Sequence, residues 1–441
     1  MENIKKISFR VLGCRLNQSE VNSLQNEFQN SGYQVVSKDE RSDIIIVNSC
    51  AVTNQAEAKT RAEINAAAKI SPNGKVMLTG CYAQGKKAEL LNLKNVYCIL
   101  GNLEKTRLLK FVDNLEEWEN KVEVADINDN QLLQSHDYYT FFRDSVATTE
   151  RTRAFVKIQD GCNYFCSYCI IPYLRGRVRS RKPEEIIREI RTLESKNFKE
   201  IVLSGINIGT YHYENQNLSW LLLELLKNTK TVRFRLSSIE PNLIDDEMIR
   251  IIKENKQLCN YFHIPMQHSS NIILKSMNRK YTCLNFQKVL EKIRHKIPDI
   301  CIGSDVIVGF PGETNTEFEE MYRFIQKNKF AYLHIFRYSK REGTKACKMK
   351  NQVSSIDKKI RSEKLHKLDN ILRKEYYKHF LGCQLEVLFE QKNADNTWSG
   401  ISSNYIYVKV RSGKDLNNKI ERVKICRVLN SYVEGSLIEK S

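Results

Sequence analysis

Short β-branched runs alternate with amphipathic helical stretches along most of this chain, and that alternation limits the fold more than any other feature. In the first 118 residues, apolar runs at 7–12, 43–47 and 75–79 enclose helical patterns at 20–31 and 55–70. Strand, helix, strand in that order predicts a flavodoxin-like parallel sheet covered by helices. Residues 151–350 repeat the alternation on a larger scale, with candidate strands at 154–159, 200–204, 231–236, 261–264, 302–308 and 332–338. Helical patterns lie between them, and Pro183, followed by Glu184 and Glu185, suits a helix first turn. Six such units exceed a small flavodoxin-type sheet. They predict a full or partial barrel, whose chemistry would lie at the C-terminal ends of the strands.

The intervening residues 119–150 are acidic, polar and without a period, and read as a linker or insertion. Residues 353–379 form a basic amphipathic pattern, with Ile360, Leu365, Leu368, Ile371 and Leu372 on an apolar stripe. After Gly382 the texture changes to alternating runs at 385–390, 401–411 and 420–426. That predicts a small all-β barrel of the OB-like kind.

The 441 residues carry a net charge of +18, unevenly spread: −2 over 1–150, +9 over 151–330 and +11 over 331–441. A basic C-terminal two-thirds suits a polyanionic partner or a solvated surface. No stretch reaches the ~18 apolar residues of a membrane span, and the N-terminus lacks a signal-peptide core. The expected compartment is the cytoplasm, with no membrane partner.

Such a compartment makes a disulfide framework a poor account of the 13 cysteines. Three of them, Cys162, Cys166 and Cys169, fall within eight residues just after the first candidate barrel strand. Thiolates at this spacing hold an iron–sulfur cluster and leave its fourth iron open. A structural zinc site needs four protein ligands, and the fourth would have to come from afar, from His263 or another cysteine. A second set is dispersed: Cys14, Cys50 and Cys81 each lie just beyond a candidate strand. In an open parallel sheet those ends share one edge, where ligands bind. They read either as a second cluster site or as three buried small residues.

Cys162-x3-Cys166-x2-Cys169, with Tyr168 before the last cysteine, resembles the radical-SAM signature. The segments Leu12-Gly13-Cys14-Arg15-Leu16-Asn17, Asn48-Ser49-Cys50-Ala51-Val52-Thr53 and Thr79-Gly80-Cys81-Tyr82 resemble the N-terminal domain of the radical-SAM methylthiotransferase family. Further matches are Arg235-Leu236-Ser237-Ser238-Ile239-Glu240-Pro241, His263-Ile264-Pro265-Met266-Gln267, Asp305 to Glu313, and Phe336-Arg337-Tyr338-Ser339. The resemblance implies three domains: a methylthiotransferase N-terminal domain (4–118), a radical-SAM core that is a partial (βα)6 barrel (148–377), and a TRAM RNA-binding barrel (378–441). It implies two 4Fe-4S clusters, on Cys14, Cys50 and Cys81 and on Cys162, Cys166 and Cys169. It also implies S-adenosyl-L-methionine as cofactor, cleaved to a 5′-deoxyadenosyl radical. Tyr168, Ser204, Gly205, Asn207, Ser238 and Glu240 are carried over as its contacts.

The implied reaction places a methylthio group on an inert aromatic carbon. The cysteine contexts are most similar to the branch that acts on threonylcarbamoyl-adenosine in tRNA. Isopentenyl-adenosine and a ribosomal-protein aspartate are the other family substrates, and a zinc-stabilised RNA-binding protein is the non-enzymatic alternative. The implied partners are a tRNA anticodon stem-loop, an electron donor such as flavodoxin or ferredoxin, and a sulfur source. Arg175, Arg177, Arg179 and Arg181 are candidate phosphate contacts, or else a solvated basic loop. One departure from the family pattern is His268-Ser269-Ser270, where a glycine is usual, and it puts that loop's geometry in question.

Overall fold

The computed structural model describes residues 5–127, 129 and 152–438. The expected linker thus lies largely outside the described residues, but its start is a strand. Val122–Glu123 pairs in parallel beside Cys98–Leu100 and completes the N-terminal sheet. The six parallel strands run in the order Gln34–Val36, Lys6–Val11, Ile44–Ser49, Lys75–Gly80, Cys98–Leu100, Val122–Glu123. Because strand residues alternate faces, Ile44 and Ile46 pack with Leu24 and Phe28 of helix Arg15–Asn30, whereas Ile45 and Val47 pack with Ile64 and Ala67 of helix Asn54–Ile70. Burial on both faces explains why these strands read as continuous apolar runs.

The central domain is an open arc of six strands. Arg153–Lys157, Glu200–Ser204 and Arg233–Leu236 form one parallel sheet, and Tyr261–His263, Cys301–Val308 and Tyr332–Arg337 another. They join where Phe234 bonds the backbone on either side of Leu258. The outer strands are each covered. Ser19 of the first N-terminal helix donates to the Phe155 carbonyl at 2.9 Å. On the far side Asp369, on helix Ser355–His379, accepts from the Leu333 N–H at 2.7 Å. That helix buries Leu365, Leu368 and Leu372 of the expected stripe, but Ile360 and Ile371 are exposed.

The C-terminal segment is a closed five-stranded barrel, Gln384–Lys392, Thr397–Ser402, Tyr407–Arg411, Val433–Leu437 and Ile420–Val428 in spatial order. The short strand Val433–Leu437, absent from the sequence pattern, closes it. The barrel docks at the N-terminal ends of the central strands. There Arg235 donates to the carbonyls of Ser402 and Ser403 at 3.0 Å each, and Arg233 to that of Ile401 at 2.8 Å. Glu200, fully buried, pairs with both arginines at 2.7–2.8 Å. No described helix is long and apolar enough to cross a membrane.

Candidate functional site

The parallel register brings the dispersed cysteines to one edge. Val11 is opposite Asn48 and Ser49 is opposite Gly80, so Cys14, Cys50 and Cys81 all leave adjacent strands at the same end. The first loop is tight. Gly13 has φ +93°, and a Cβ there would lie 2.6 Å from Cβ and Sγ of Cys50. Only glycine fits such a backbone so close to a neighbouring side chain. Asn17 ties the loops together, donating to Leu12 O at 2.8 Å and Ser49 O at 3.1 Å.

Cys162, Cys166 and Cys169 occupy the loop after the first central strand. Cys162 N donates to Gly176 O at 3.0 Å, and Cys169 N to Cys166 O at 2.9 Å. Gly161 turns the chain into this loop with φ +70°, and a Cβ on it would collide with the Arg177 carbonyl at 1.9 Å. Burial pushes the Cys50 and Cys162 thiols up to about 11. Each would therefore release a proton on binding iron.

Each cysteine set has a buried arginine on one sulfur, which the sequence did not single out for that role. Arg279 donates to Cys166 Sγ at 3.4 Å and pairs with Glu240. Burial raises the Glu240 carboxyl despite that partner. Arg175 donates to Cys81 Sγ at 3.3 Å, to Asn17 at 2.7 Å and to Glu20 at 2.9 Å, and contacts Asp160 at 3.2 Å. Lys105 and Lys157 also pair with Glu20, and Arg179 with Asp160. Burial alone would raise Glu20, but Arg175, Lys105 and Lys157 outweigh it and hold the carboxyl well below its usual range. This corrects the phosphate assignment. Arg175, Arg179 and Arg181 are buried in ion pairs, the last with Glu189, and only Arg177 is exposed.

The residues carried over as cofactor contacts gather at the C-terminal ends of the strands. Tyr168 lines a cavity beside Cys169. Ser204 and Asn207 are buried, and Asn207 Oδ1 has no hydrogen-bond partner among the described residues. The close approach at Gly205 is to Gln159, whose Oε1 would lie 2.7 Å from a Cβ and accepts from the N–H groups of Ile206 and Asn207. Ser238 is half-buried, on the turn leading to Glu240.

The cavity is about 230 Å³. Val52 and Thr53, just past Cys50, form one wall, and Tyr168 and Cys169 another. Asp305 also lines it and accepts from His263 at 2.8 Å and His334 at 3.0 Å. Burial pushes this carboxyl up, but the two imidazoles hold it well below the usual range. The three side chains are near enough to share a divalent cation. His263 is thus engaged with Asp305 and, at 2.9 Å, with Tyr332, rather than with the cysteine triplet. The His268-Ser269-Ser270 departure costs no strain. The left-handed residue of that loop is Gln267, with φ 62°, and the buried His268 ring accepts from Ser270 N at 2.9 Å.

A six-stranded arc with three cysteines in its first loop is the architecture of radical SAM enzymes, and the sequence matches the radical SAM superfamily over residues 156–325. Residues 6–101 match the "Uncharacterized protein family UPF0004". Similar in fold is the radical S-adenosylmethionine methyltransferase TsrM from Kitasatospora setae, solved with cobalamin and a 4Fe-4S cluster. Its TM-score is 0.58 at 13% identity, over 78% of this chain and 77% of that one.

Nearer relatives are the threonylcarbamoyladenosine tRNA methylthiotransferases MtaB of Bacillus subtilis and Aquifex aeolicus. Both are 37% identical, over 98% and 95% of this chain and 96% and 100% of theirs. A tRNA-2-methylthio-N(6)-dimethylallyladenosine synthase of Dictyoglomus thermophilum is 33% identical over 97% of each. The chain belongs to the methylthiotransferase family of radical SAM enzymes. Enzymes of this family use S-adenosylmethionine and two 4Fe-4S clusters. The donor sets here fit that requirement: two groups of three cysteines, each beside a buried cation.

Proposed function

We propose that this protein transfers a methylthio group to C2 of N6-threonylcarbamoyladenosine next to the anticodon of tRNA. The observation that carries the reading is the cavity lined by Val52 and Thr53, just past Cys50, and by Cys169. Cys162, Cys166 and Cys169 would hold one cluster, and Cys14, Cys50 and Cys81 the second. When bound, the clusters and S-adenosylmethionine supply the radical cleavage and the sulfur that no acid–base pair can supply at an inert carbon–hydrogen bond.

The chain's own residues do the positioning. Arg279 fixes Cys166, Tyr168 and Glu240 relative to one another. Gln159 fixes the backbone of Ile206 and Asn207, where the methionine end of the cofactor would lie. Buried arginines beside the sulfurs favour the more negative, reduced state of a cluster, since nearby charge and hydrogen bonds set its potential. In this reading the cavity receives one extruded base.

The partners in this reading are the anticodon stem-loop, an electron donor such as flavodoxin or ferredoxin, and a sulfur source. Mass analysis of tRNA nucleosides tests it. Deletion of the gene should remove 2-methylthio-threonylcarbamoyladenosine and leave its unthiolated precursor. Loss of the isopentenyl derivative instead, or an unchanged profile, overturns it.

A further inference from the structure

We propose that the open groove beside the catalytic cavity is a phosphate-binding track that holds the RNA backbone while the target base enters. This rests on tRNA being the substrate. The groove, about 800 Å³, lies between strand Tyr332–Arg337 and helix Ser355–His379. Arg337, Lys340, Lys358, Lys359 and His366 line it, against one acid, Glu363. It shares Thr53, Phe336, Arg337, Tyr338 and Ser339 with the catalytic cavity, so the two open into each other.

The charges of the groove point to an anion. Arg337, Lys340 and Lys358 form no ion pair among the described residues. Lys358 is partly buried, its Nζ lies 5.1 Å from the centroid of the Tyr338 ring, and burial and then the Lys340 charge push its ammonium down against the opposing Glu313. A phosphodiester lying in the groove would accept from the Arg337, Lys340 and Lys358 side chains.

A base beside that phosphate has a platform. Phe336 is 43% exposed at the junction of groove and cavity. Unpaired RNA bases stack on such aromatics. The C-terminal barrel does not line this groove. It docks at the opposite strand ends through Arg233 and Arg235. Past His366, the last helix residue lining the groove, the helix that leads to the barrel continues for roughly 20 Å at 1.5 Å per residue.

The test uses the full-length, anaerobically reconstituted protein and a synthetic anticodon stem-loop carrying threonylcarbamoyladenosine. Binding is measured across a salt series for wild type, for the double variant Lys340→Gln/Lys358→Gln, and for the matching double arginine variant. Each lost phosphate contact lowers the salt slope by about 1, so the glutamine variant should lose about 2 and bind at least about tenfold more weakly. The arginine variant should keep the wild-type slope. Phe336→Ser should weaken binding with the slope unchanged. Iron content and melting temperature verify that each variant is folded. A glutamine variant with wild-type affinity and slope overturns the track. A wild-type protein that does not bind the stem-loop overturns the tRNA reading itself.

Discussion

Arg175 shows how much can rest on one side chain. Its planar guanidinium reaches Cys81, Asn17, Glu20 and Asp160 at once, joining the N-terminal sheet to the strand that leads into the Cys162 loop. Lysine is a point charge on a flexible stem and cannot reproduce that fork. Arg175→Lys should therefore lower iron bound at Cys14, Cys50 and Cys81, measured in a protein whose other three cysteines are replaced by alanine. Arg175→Met should lower the melting temperature as well, because breaking a buried ion pair costs about 3–5 kcal/mol. The cysteines themselves were legible, since their spacing and their place after strands are patterns of sequence. Arg175 was not. Nothing in Arg175, Arg177, Arg179 and Arg181 separates the buried members of the run from the exposed one. Burial came from Glu20, 155 residues away in the chain.

The strand ends and their tight turns place the ligands. Gly13→Ala would force a Cβ onto Cys50, and should reduce iron from about eight to about four per chain while leaving the Cys162 loop loaded, as each cluster holds four irons. Iron analysis and absorption spectra verify this. The long strands and helices follow the periodicity closely because each buries a full apolar face. Short elements escaped it. Val122–Glu123 and Val433–Leu437 are strands because a neighbour offers its hydrogen-bonding edge, while their own residues form no apolar run to show it.

The C-terminal barrel is held to the rest of the molecule by a charge cluster at the base of the arc. Glu200 faces Arg153, Arg233, Arg235 and the Cys259 thiol. Burial would raise its carboxyl, but the arginines hold it far below 4.5. A depressed carboxylate adds stability that is full above its unfolded value and fades as the pH falls below it. Glu200→Gln should therefore lower the melting temperature at pH 7, and the gap to wild type should narrow as the pH is lowered through about 4 and below. A constant gap across that range would count against the ion pairs as its cause. Under the proposed function, an RNA that reached both the barrel and the catalytic cavity would run past helix Ser355–His379, whose first half lines the groove.

By itself the sequence determined the alternation that makes two parallel α/β domains and a small barrel, the three cysteines with iron–sulfur spacing, and the place of three more just after strands. These are local patterns, read from neighbours a few residues apart. Tertiary structure alone decided that Cys169 and the residues just past Cys50 line one cavity, that three of four candidate phosphate arginines are internal, and that a separate basic groove meets the cavity at Phe336. Such facts depend on which distant segments share a surface. Burial, not residue type, decides whether an arginine pairs with a carboxylate or waits for a phosphate.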